Sequence, residues 1–342
     1  MPRELDEDDV RVRPGRQSRP RTRQRPAHED AAPAEVVTVD RGRYRLRTAD
    51  GRLATAVRAR ELGRRAVVVG DRVDAVGDLS GSADALARIV RVHERSSLLR
   101  RTPDDTDPVE RPVVANAELL VVVTALADPP PRPRLVDRCL VAAYDGGLTP
   151  LLCLTKSDLA APDELLASYA PLGVDAVALG RRDGVLTGVE ALRERLRDRT
   201  SVLFGQSGVG KSTLVNALVP EADRAVGDVT GVGKGRHTSS SAVSFALPGG
   251  GTVVDTPGVR SFGLGAVTPE RVVSAFPDLA AAAARCLPGC RHLLGEPHCG
   301  LDDEVAAGRA SAERLDSLRR LLAALAGDDP DDPQPAERVR VT

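Results

Sequence analysis

The sequence contains no tryptophan, and only three tyrosines and four phenylalanines occur among its 342 residues. It also lacks a long apolar run, because the least interrupted one, residues 119–127, is half of the ~18 residues that a membrane-spanning helix needs. The first residues alternate acidic side chains with arginine and contain no apolar signal core. We therefore expect a soluble, cytoplasmic protein without a membrane partner. Nothing indicates an obligate oligomer, so we expect a monomer.

Cysteine is scarce, and five cysteines in a chain of this length exclude a small scaffold held together by disulfides. Cys139 and Cys153 each stand alone in an apolar stretch, whereas Cys286, Cys290 and Cys299 cluster towards the end of the chain. This distribution indicates a reducing compartment and one metal site.

Lysine is scarcer still, since only Lys156, Lys211 and Lys234 accompany the arginines among 48 basic residues. The 49 acidic residues bring the formal net charge to -1, so any surface for nucleic acid must be local. The three lysines either survive by accident or mark positions that require a compact ammonium group. Their neighbours decide between these alternatives.

The first hundred residues divide into a basic arm and a strand-rich region. Residues 1–34 include seven arginines between Arg11 and Arg25 and no apolar periodicity, which predicts a disordered arm that either holds RNA phosphates or is a solvated tail. Residues 35–98 alternate short apolar segments with glycines, which predicts an all-β, OB-fold-like barrel. Because Tyr44 is the one aromatic residue there, contacts with RNA should rest on arginine and phosphate. The predicted strands are residues 36–39, 44–48, 53–60, 71–76 and 87–93.

The rest of the chain changes pattern after a connector rich in proline and aspartate at 100–112. Residues 112–265 alternate apolar strands with helical segments, which predicts an α/β domain with a parallel sheet covered on both faces. Residues 266–326 predict a helical module that contains the cysteine cluster and ends in an amphipathic helix, followed by a disordered acidic tail at 327–342. The apolar positions of that last helix are Leu315, Leu318, Leu322 and Leu325.

The strongest motif is a phosphate-binding loop between the predicted strand 201–204 and a helix that ends near residue 218. Its glycines let backbone N–H groups face phosphate oxygens, Lys211 reaches the β and γ oxygens, and Ser212 is a magnesium ligand. A phosphate loop alone does not separate GTP from ATP, nor a hydrolase from a small-molecule kinase. The residues predicted to bind the phosphates are Gly205, Gln206, Ser207, Gly208, Val209, Gly210, Lys211, Ser212 and Thr213.

A second segment, Thr155, Lys156, Ser157 and Asp158, follows the predicted strand 151–154 and resembles the guanine-recognition segment of GTPases, commonly Asn-Lys-x-Asp. The Asp158 carboxylate can accept two N–H groups of guanine that adenine lacks, and the Lys156 stem packs over the base. Thr155 stands where asparagine is usual. The alternative is a surface turn with a chance lysine and aspartate.

A third segment ends the predicted strand 252–254. Asp255 is placed to act on magnesium through water, and the N–H group of Gly258 can meet the γ-phosphate. Loss of that phosphate would release the loop, so the three segments together predict a two-state guanine-nucleotide switch.

The order of the segments is unusual, because in ordinary GTPases the phosphate loop comes first and the guanine segment last. Here Asp158 precedes Gly205 and Asp255 follows both, which indicates a circularly permuted domain. This order, with the barrel before it and the Cys/His module after it, closely resembles the ribosome small subunit-dependent GTPase A family (RsgA, also called YjeQ) from about residue 36 to 325. The resemblance implies a GTP hydrolase that uses GTP/GDP and magnesium in late maturation of the small ribosomal subunit. It also implies activation by that subunit and its rRNA.

The resemblance assigns further residues in the segment 233–240, which looks like the switch I sequence of the family. Thr238 is then the magnesium-binding threonine. Val259 stands where many GTPases have the glutamine that orients water, so the resemblance implies that His237 serves instead as the catalytic residue beside Lys211. All three lysines then lie in nucleotide-site motifs, which favours a requirement over an accident.

The C-terminal cluster reads Cys286-x3-Cys290-x-His292-x6-Cys299 and offers three thiolates and an imidazole, which are favoured tetrahedral ligands of zinc. We predict one structural zinc. Two gaps of this pattern differ by one residue from the family pattern, and His298 is a rival for the fourth ligand. Unligated thiols are the remaining alternative.

Two other functions compete with the small-subunit GTPase. One is a circularly permuted GTPase of large-subunit assembly, which is disfavoured because the barrel and the zinc module match the small-subunit family. The other is an RNA-binding scaffold with a non-hydrolysing nucleotide site, against which stands the intact set of Lys211, Ser212, Thr238 and Asp255.

Overall fold

A computed structural model describes residues 28–63, 67–82, 84–101, 111–220, 242–256 and 267–326. The expected basic arm up to residue 27 and the expected acidic tail lie outside these residues. Within them, no helix is both long and apolar enough to cross a membrane.

The N-terminal region is a closed five-stranded barrel, as predicted. Its strands follow the order β1-β2-β3-β5-β4, and β4 pairs back to β1. Alternate residues point inwards, so Val36, Leu46, Ala56, Val73 and Ile89 are all almost completely buried. The strands are β1 (Ala32–Asp40), β2 (Arg43–Thr48), β3 (Leu53–Arg58), β4 (Arg72–Gly77) and β5 (Ala87–Val92).

Three details of this region differ from the sequence prediction. The first strand begins at Ala32, so the last three residues of the predicted disordered arm, 32–34, belong to β1. The third strand ends at Arg58 instead of residue 60, because the chain turns there into a short 3-10 helix, Arg60–Leu62. The connector after the barrel is not plain linker. It contributes a hairpin of β6 (Leu98–Arg101) and β7 (Arg111–Ala115), and this hairpin buries Leu99 and Val114.

The central domain is a mainly parallel sheet with helices on both faces, as predicted. Five parallel strands lie in the order β10-β9-β8-β13-β15. The strands are β8 (Leu119–Ala125), β9 (Thr149–Thr155), β10 (Asp175–Ala178), β13 (Thr200–Phe204) and β15 (Thr252–Asp255), with the small hairpin β11 (Gly180–Arg182) and β12 (Val185–Thr187) beside them. The helices are α1 (Pro133–Gly146), α2 (Asp163–Tyr169), α3 (Val189–Leu196) and α4 (Lys211–Leu218).

An antiparallel strand that the sequence analysis missed, β14 (Val243–Ala246), completes this sheet. It pairs with β15 on one side and with the barrel strand β1 on the other, where Thr38 is the partner of Val243. The barrel and the central domain therefore share one continuous sheet of eleven strands.

The C-terminal module consists of α5 (Pro269–Ser274), α6 (Pro277–Ala283), α7 (Gly300–Ala306) and α8 (Ala312–Ala326). As predicted, α8 is amphipathic: Leu315, Leu318 and Leu322 are buried. They belong to the same hydrophobic core as the apolar residues of α1, so the module packs on the central domain. The ring of Phe276 meets that of Tyr144 edge-on, with their centroids 5.6 Å apart.

Candidate functional site

The phosphate loop occupies the turn between β13 and α4, in the middle of the parallel sheet. Gly208 and Gly210 have positive φ values of 83° and 91°, a conformation that glycine adopts without strain. Gly205 is required for a different reason, since a Cβ atom there would lie 2.7 Å from the carbonyl oxygen of Val123. The predicted loop therefore has the backbone that its glycines indicated, and Ser212 and Thr213 are exposed in the first turn of α4.

Lys211 and Asp255, which lie in two different motifs, meet at this site. The Lys211 ammonium forms an ion pair with the Asp255 carboxylate, and the two side chains are 14% and 23% exposed. This contact follows from the sheet, because β13 and β15 are adjacent and parallel, with Leu203 beside Asp255. The carboxyl ends of parallel strands share one edge, which is where α/β proteins bind ligands.

Thr155, at the end of β9, ties the guanine segment to the phosphate loop. Its hydroxyl donates a hydrogen bond to the carbonyl oxygen of Val209 at 2.6 Å, and the carbonyl of Thr124 lies 3.3 Å away. The side chain is buried. Lys156 donates from its ammonium group to the carbonyl oxygen of Asp128. The predicted base site and the predicted phosphate site are therefore joined through one buried hydroxyl.

Two residues that the sequence analysis missed hold Asp158. The backbone N–H of Arg181 donates to Oδ1 of Asp158 at 2.9 Å, which orients the carboxylate. Gly180 leaves room for the segment, because a Cβ atom there would lie 2.7 Å from Oγ of Ser157 and 3.1 Å from the backbone nitrogen of Asp158. A glycine directly after the short apolar segment 176–179 was the available signal, since β10 runs parallel to β9 and brings Gly180, two residues beyond its end, beside Asp158.

Three predicted site residues lie outside the described residues: the catalytic candidate His237, the magnesium ligand Thr238 and the γ-phosphate contact Gly258. Their roles stay predictions. Among the described residues, the structure brings the phosphate loop, the guanine segment and Asp255 to one edge of the sheet. Such a set can bind a purine nucleotide with the base and the phosphates at fixed separation.

A second site lies between α6 and α7. The ligand atoms of Cys286, Cys290, His292 and Cys299 are all within 4.8 Å of one another. Nδ1 of His292 lies 3.6, 3.4 and 3.7 Å from the sulfur atoms of Cys286, Cys290 and Cys299, respectively. Tetrahedral zinc with bonds of about 2.3 Å to sulfur and 2.0 Å to nitrogen separates these atoms by about 3.5 Å. The four residues therefore fit a zinc ion.

The same geometry separates the rival ligands. His292 is buried among the three cysteines, whereas His298 is exposed and is not a member of the cluster.

The other two cysteines lie in the core. Burial raises the pKa of Cys153 to about 12 and that of Cys139 well above its usual value, so both thiols stay protonated in the core. They are packing residues, as their apolar neighbours indicated.

The fold, together with the edge of the sheet that carries the phosphate loop, the guanine segment and Asp255, defines a circularly permuted P-loop GTPase. In this class the guanine segment precedes the phosphate loop along the chain. The sequence profile of the RsgA GTPase family matches residues 92–265. A small ribosomal subunit biogenesis GTPase RsgA from Chlorobaculum parvum is 37% identical over 304 residues, covering 85% of this chain and 97% of the relative. One from Ectopseudomonas mendocina is 41% identical and covers 77% of this chain and 76% of the relative. The chain belongs to the RsgA GTPase family.

Two solved structures share this fold. YjeQ from Thermotoga maritima superposes with a TM-score of 0.63 at 27% identity, covering 87% of this chain and 99% of that one. YloQ, described as a circularly permuted GTPase, has the same fold, with a TM-score of 0.62 and coverage of 90% and 99%. Permutation, barrel and Cys/His module were all predicted from the sequence, and each is present.

Proposed function

We propose that this GTPase acts in late maturation of the small ribosomal subunit in the cytoplasm, and that binding of the subunit stimulates its GTP hydrolysis. One observation supports the nucleotide half of the proposal: the hydrogen bond from Thr155 to Val209 joins the guanine segment to the phosphate loop. The ribosomal half rests on the printed function of the curated relatives, which are named as small ribosomal subunit biogenesis GTPases.

In this proposal the nucleotide is GTP, and GDP after hydrolysis. Lys211 and the backbone N–H groups of the phosphate loop hold the phosphates, while Asp158 reads guanine. Ser212 and Thr238 would hold magnesium, with Asp255 acting through water. The ion supplies positive charge to the phosphate oxygens. His237, in the segment 233–240, would orient the attacking water.

The barrel is the proposed RNA-binding surface. Tyr44 is buried, so it offers no exposed ring for base stacking. Arg43 on β2 and Arg88 on β5 are exposed and flank Val57, the register partner of both. Neighbouring strands lie about 4.8 Å apart, so the backbone positions of these two arginines, one strand apart from each other across β3, are separated by about 10 Å. We propose that they contact rRNA phosphates, which gives binding that weakens with salt.

Co-sedimentation tests the partner directly. The protein is mixed with purified small or large subunits, in the presence of GDP or a non-hydrolysable GTP analogue, at several stated salt concentrations. We expect binding to the small subunit with the analogue and weaker binding with GDP. Arg43→Gln combined with Arg88→Gln should reduce the slope of log affinity against log salt by about two, whereas Arg195→Gln on the central domain should not change it.

The remaining outcomes separate the alternatives. Binding to the large subunit instead would support a role in large-subunit assembly. If the protein binds the small subunit and the Lys211→Ala variant is still fully active in subunit maturation, the result would support a scaffold with a non-hydrolysing site. The expected monomer can be checked by light scattering of the free protein in the same buffers.

A further inference from the structure

Arg319 is a buried arginine next to the Cys/His cluster. Its side chain is 9% exposed, although it lies on α8 and not on the loops that carry the cluster. Charged side chains are rarely buried to this extent unless they are paired. The environment of Arg319 must therefore supply negative charge and hydrogen-bond acceptors.

The described contacts of Arg319 supply part of this negative charge and some of the hydrogen-bond acceptors. Its Nε donates to the backbone carbonyl of His292 at 3.2 Å, and one terminal nitrogen donates to Oδ2 of Asp302 at 2.8 Å. Asp302 follows Cys299 by three residues on α7, and its carboxylate is half exposed. The guanidinium therefore contacts the backbone of one candidate ligand, His292, and a side chain three residues from another, Cys299.

The charge of the loaded cluster explains why a cation is buried here. Three thiolates and one neutral imidazole around a divalent zinc ion carry a net charge of about minus one. A buried negative charge is costly unless a partner neutralises it. We propose that Arg319 is an outer-shell counter-ion of the zinc centre, which neutralises its excess charge and fixes the His292 ligand through its backbone carbonyl.

The neighbouring residue provides a matched control. Arg320 follows Arg319 on α8, but it points to the central domain, where Nε lies 3.2 Å from Oδ2 of Asp137 and the guanidinium covers the ring of Tyr169 at 5.0 Å. Removing either arginine deletes one charge from the same turn of the same helix. Of the two arginines, Arg319 is the one whose described contacts reach His292 and α7.

The inference rests on the proposed zinc ion, so zinc content of the full-length wild-type protein is measured first. Zinc affinity is then measured by competition with a chromophoric chelator for Arg319→Met, Arg319→Gln, Arg319→Lys and Arg320→Met, with circular dichroism as the check on folding. Outer-shell partners are typically worth 10- to 100-fold in metal affinity. We expect that loss for Arg319→Met and Arg319→Gln, a smaller loss for Arg319→Lys, and less than a twofold change for Arg320→Met.

Three results would overturn the inference. One is an affinity within twofold of wild type for Arg319→Gln, which keeps a hydrogen-bond donor and removes the charge. Another is an equal loss for Arg320→Met, which would mean that docking of α8, and not the counter-ion, retains the metal. Wild-type protein without zinc would overturn the metal assignment and the inference together. If Arg319→Met does not fold, the ranking of Arg319→Lys above Arg319→Gln decides.

Discussion

The hydroxyl of Thr155 and the carbonyl oxygen of Val209 are 2.6 Å apart, and this hydrogen bond connects two loops that are 54 residues apart in the chain. Asparagine is usual at this position of the guanine segment, and a threonine hydroxyl has only one proton to donate. That proton is directed at backbone carbonyls, so Thr155 positions the two loops relative to each other. It is buried, like the carbonyl that it satisfies.

We first predict that Thr155→Val weakens guanine-nucleotide binding. Valine has nearly the same shape but leaves the carbonyl of Val209 without its partner, at a cost of about 1–3 kcal/mol. If about 1.4 kcal/mol of this appears in the bound state, the Kd for GDP rises about tenfold. Titration with a fluorescent GDP analogue measures it. Thr155→Ser keeps the hydroxyl and should restore most of the affinity. Equal GDP affinity of Thr155→Val and the wild-type protein would contradict the positioning role of Thr155.

Asp158→Asn should change which purine is bound. The asparagine carbonyl can keep the hydrogen bond from the N–H of Arg181, which leaves its NH₂ group facing the N–H donors of guanine. Two donors then oppose each other, so we expect GTP affinity to fall about 100-fold or more. Xanthosine triphosphate, with a carbonyl in place of the exocyclic amine, should bind better to the variant than to wild type. Competition binding with both nucleotides checks this exchange.

Gly180→Ala tests whether close packing behind the guanine segment matters. The added Cβ would lie 3.1 Å from the backbone nitrogen of Asp158, so the segment must shift. Overpacking costs about 1–3 kcal/mol, and we expect a several-fold weaker Kd for GDP. Gly249→Ala is the control, because nothing lies within 4 Å of a Cβ atom there. Equal Kd values for both variants would show that Gly180 is not needed.

Zinc removal should destabilise the C-terminal module. A loop-rich metal site contributes its binding free energy to folding, so chelation should lower the thermal midpoint and expose the apolar face of α8. Elemental analysis should find one zinc per chain in wild type and in His298→Ala, and none or substoichiometric zinc in His292→Ala and Cys286→Ser. Cys139→Ala should keep its zinc. Loss of zinc from His298→Ala with retention in His292→Ala would reverse the ligand assignment.

The sequence was most informative where function depends on short contiguous segments. The phosphate loop, the segment around Asp158 and the cysteine cluster each contain their chemistry within a dozen or so residues, so spacing alone located them. The sequence pattern already favoured His292 over its rival His298, and the fold supports that choice, because His292 is buried among the cysteines and His298 is exposed. Chain order alone indicated the permutation.

The missed features depend on contacts between distant parts of the chain. The strand β14 has only four residues, and its two neighbours in the sheet, β1 and β15, come from different domains. No local period distinguishes such a strand from a loop. Likewise, Gly180 and Arg181 contact Asp158 from β11, and Arg181 is 23 residues away from Asp158 in the chain. The hairpin of β6 and β7 interrupts a region whose proline and aspartate content indicated only a linker.

Stimulation of GTP hydrolysis by the ribosomal subunit is the most direct test of the proposed role in maturation of the small subunit. GTP and ATP hydrolysis are measured for the purified protein alone, with small subunits and with large subunits, at one stated salt concentration. We expect slow hydrolysis of GTP by the free protein, strong stimulation by small subunits alone, no turnover of ATP, and loss of the stimulated rate in Lys211→Ala. Hydrolysis that responds equally to both subunits, or to neither, would contradict the proposed role on the small subunit.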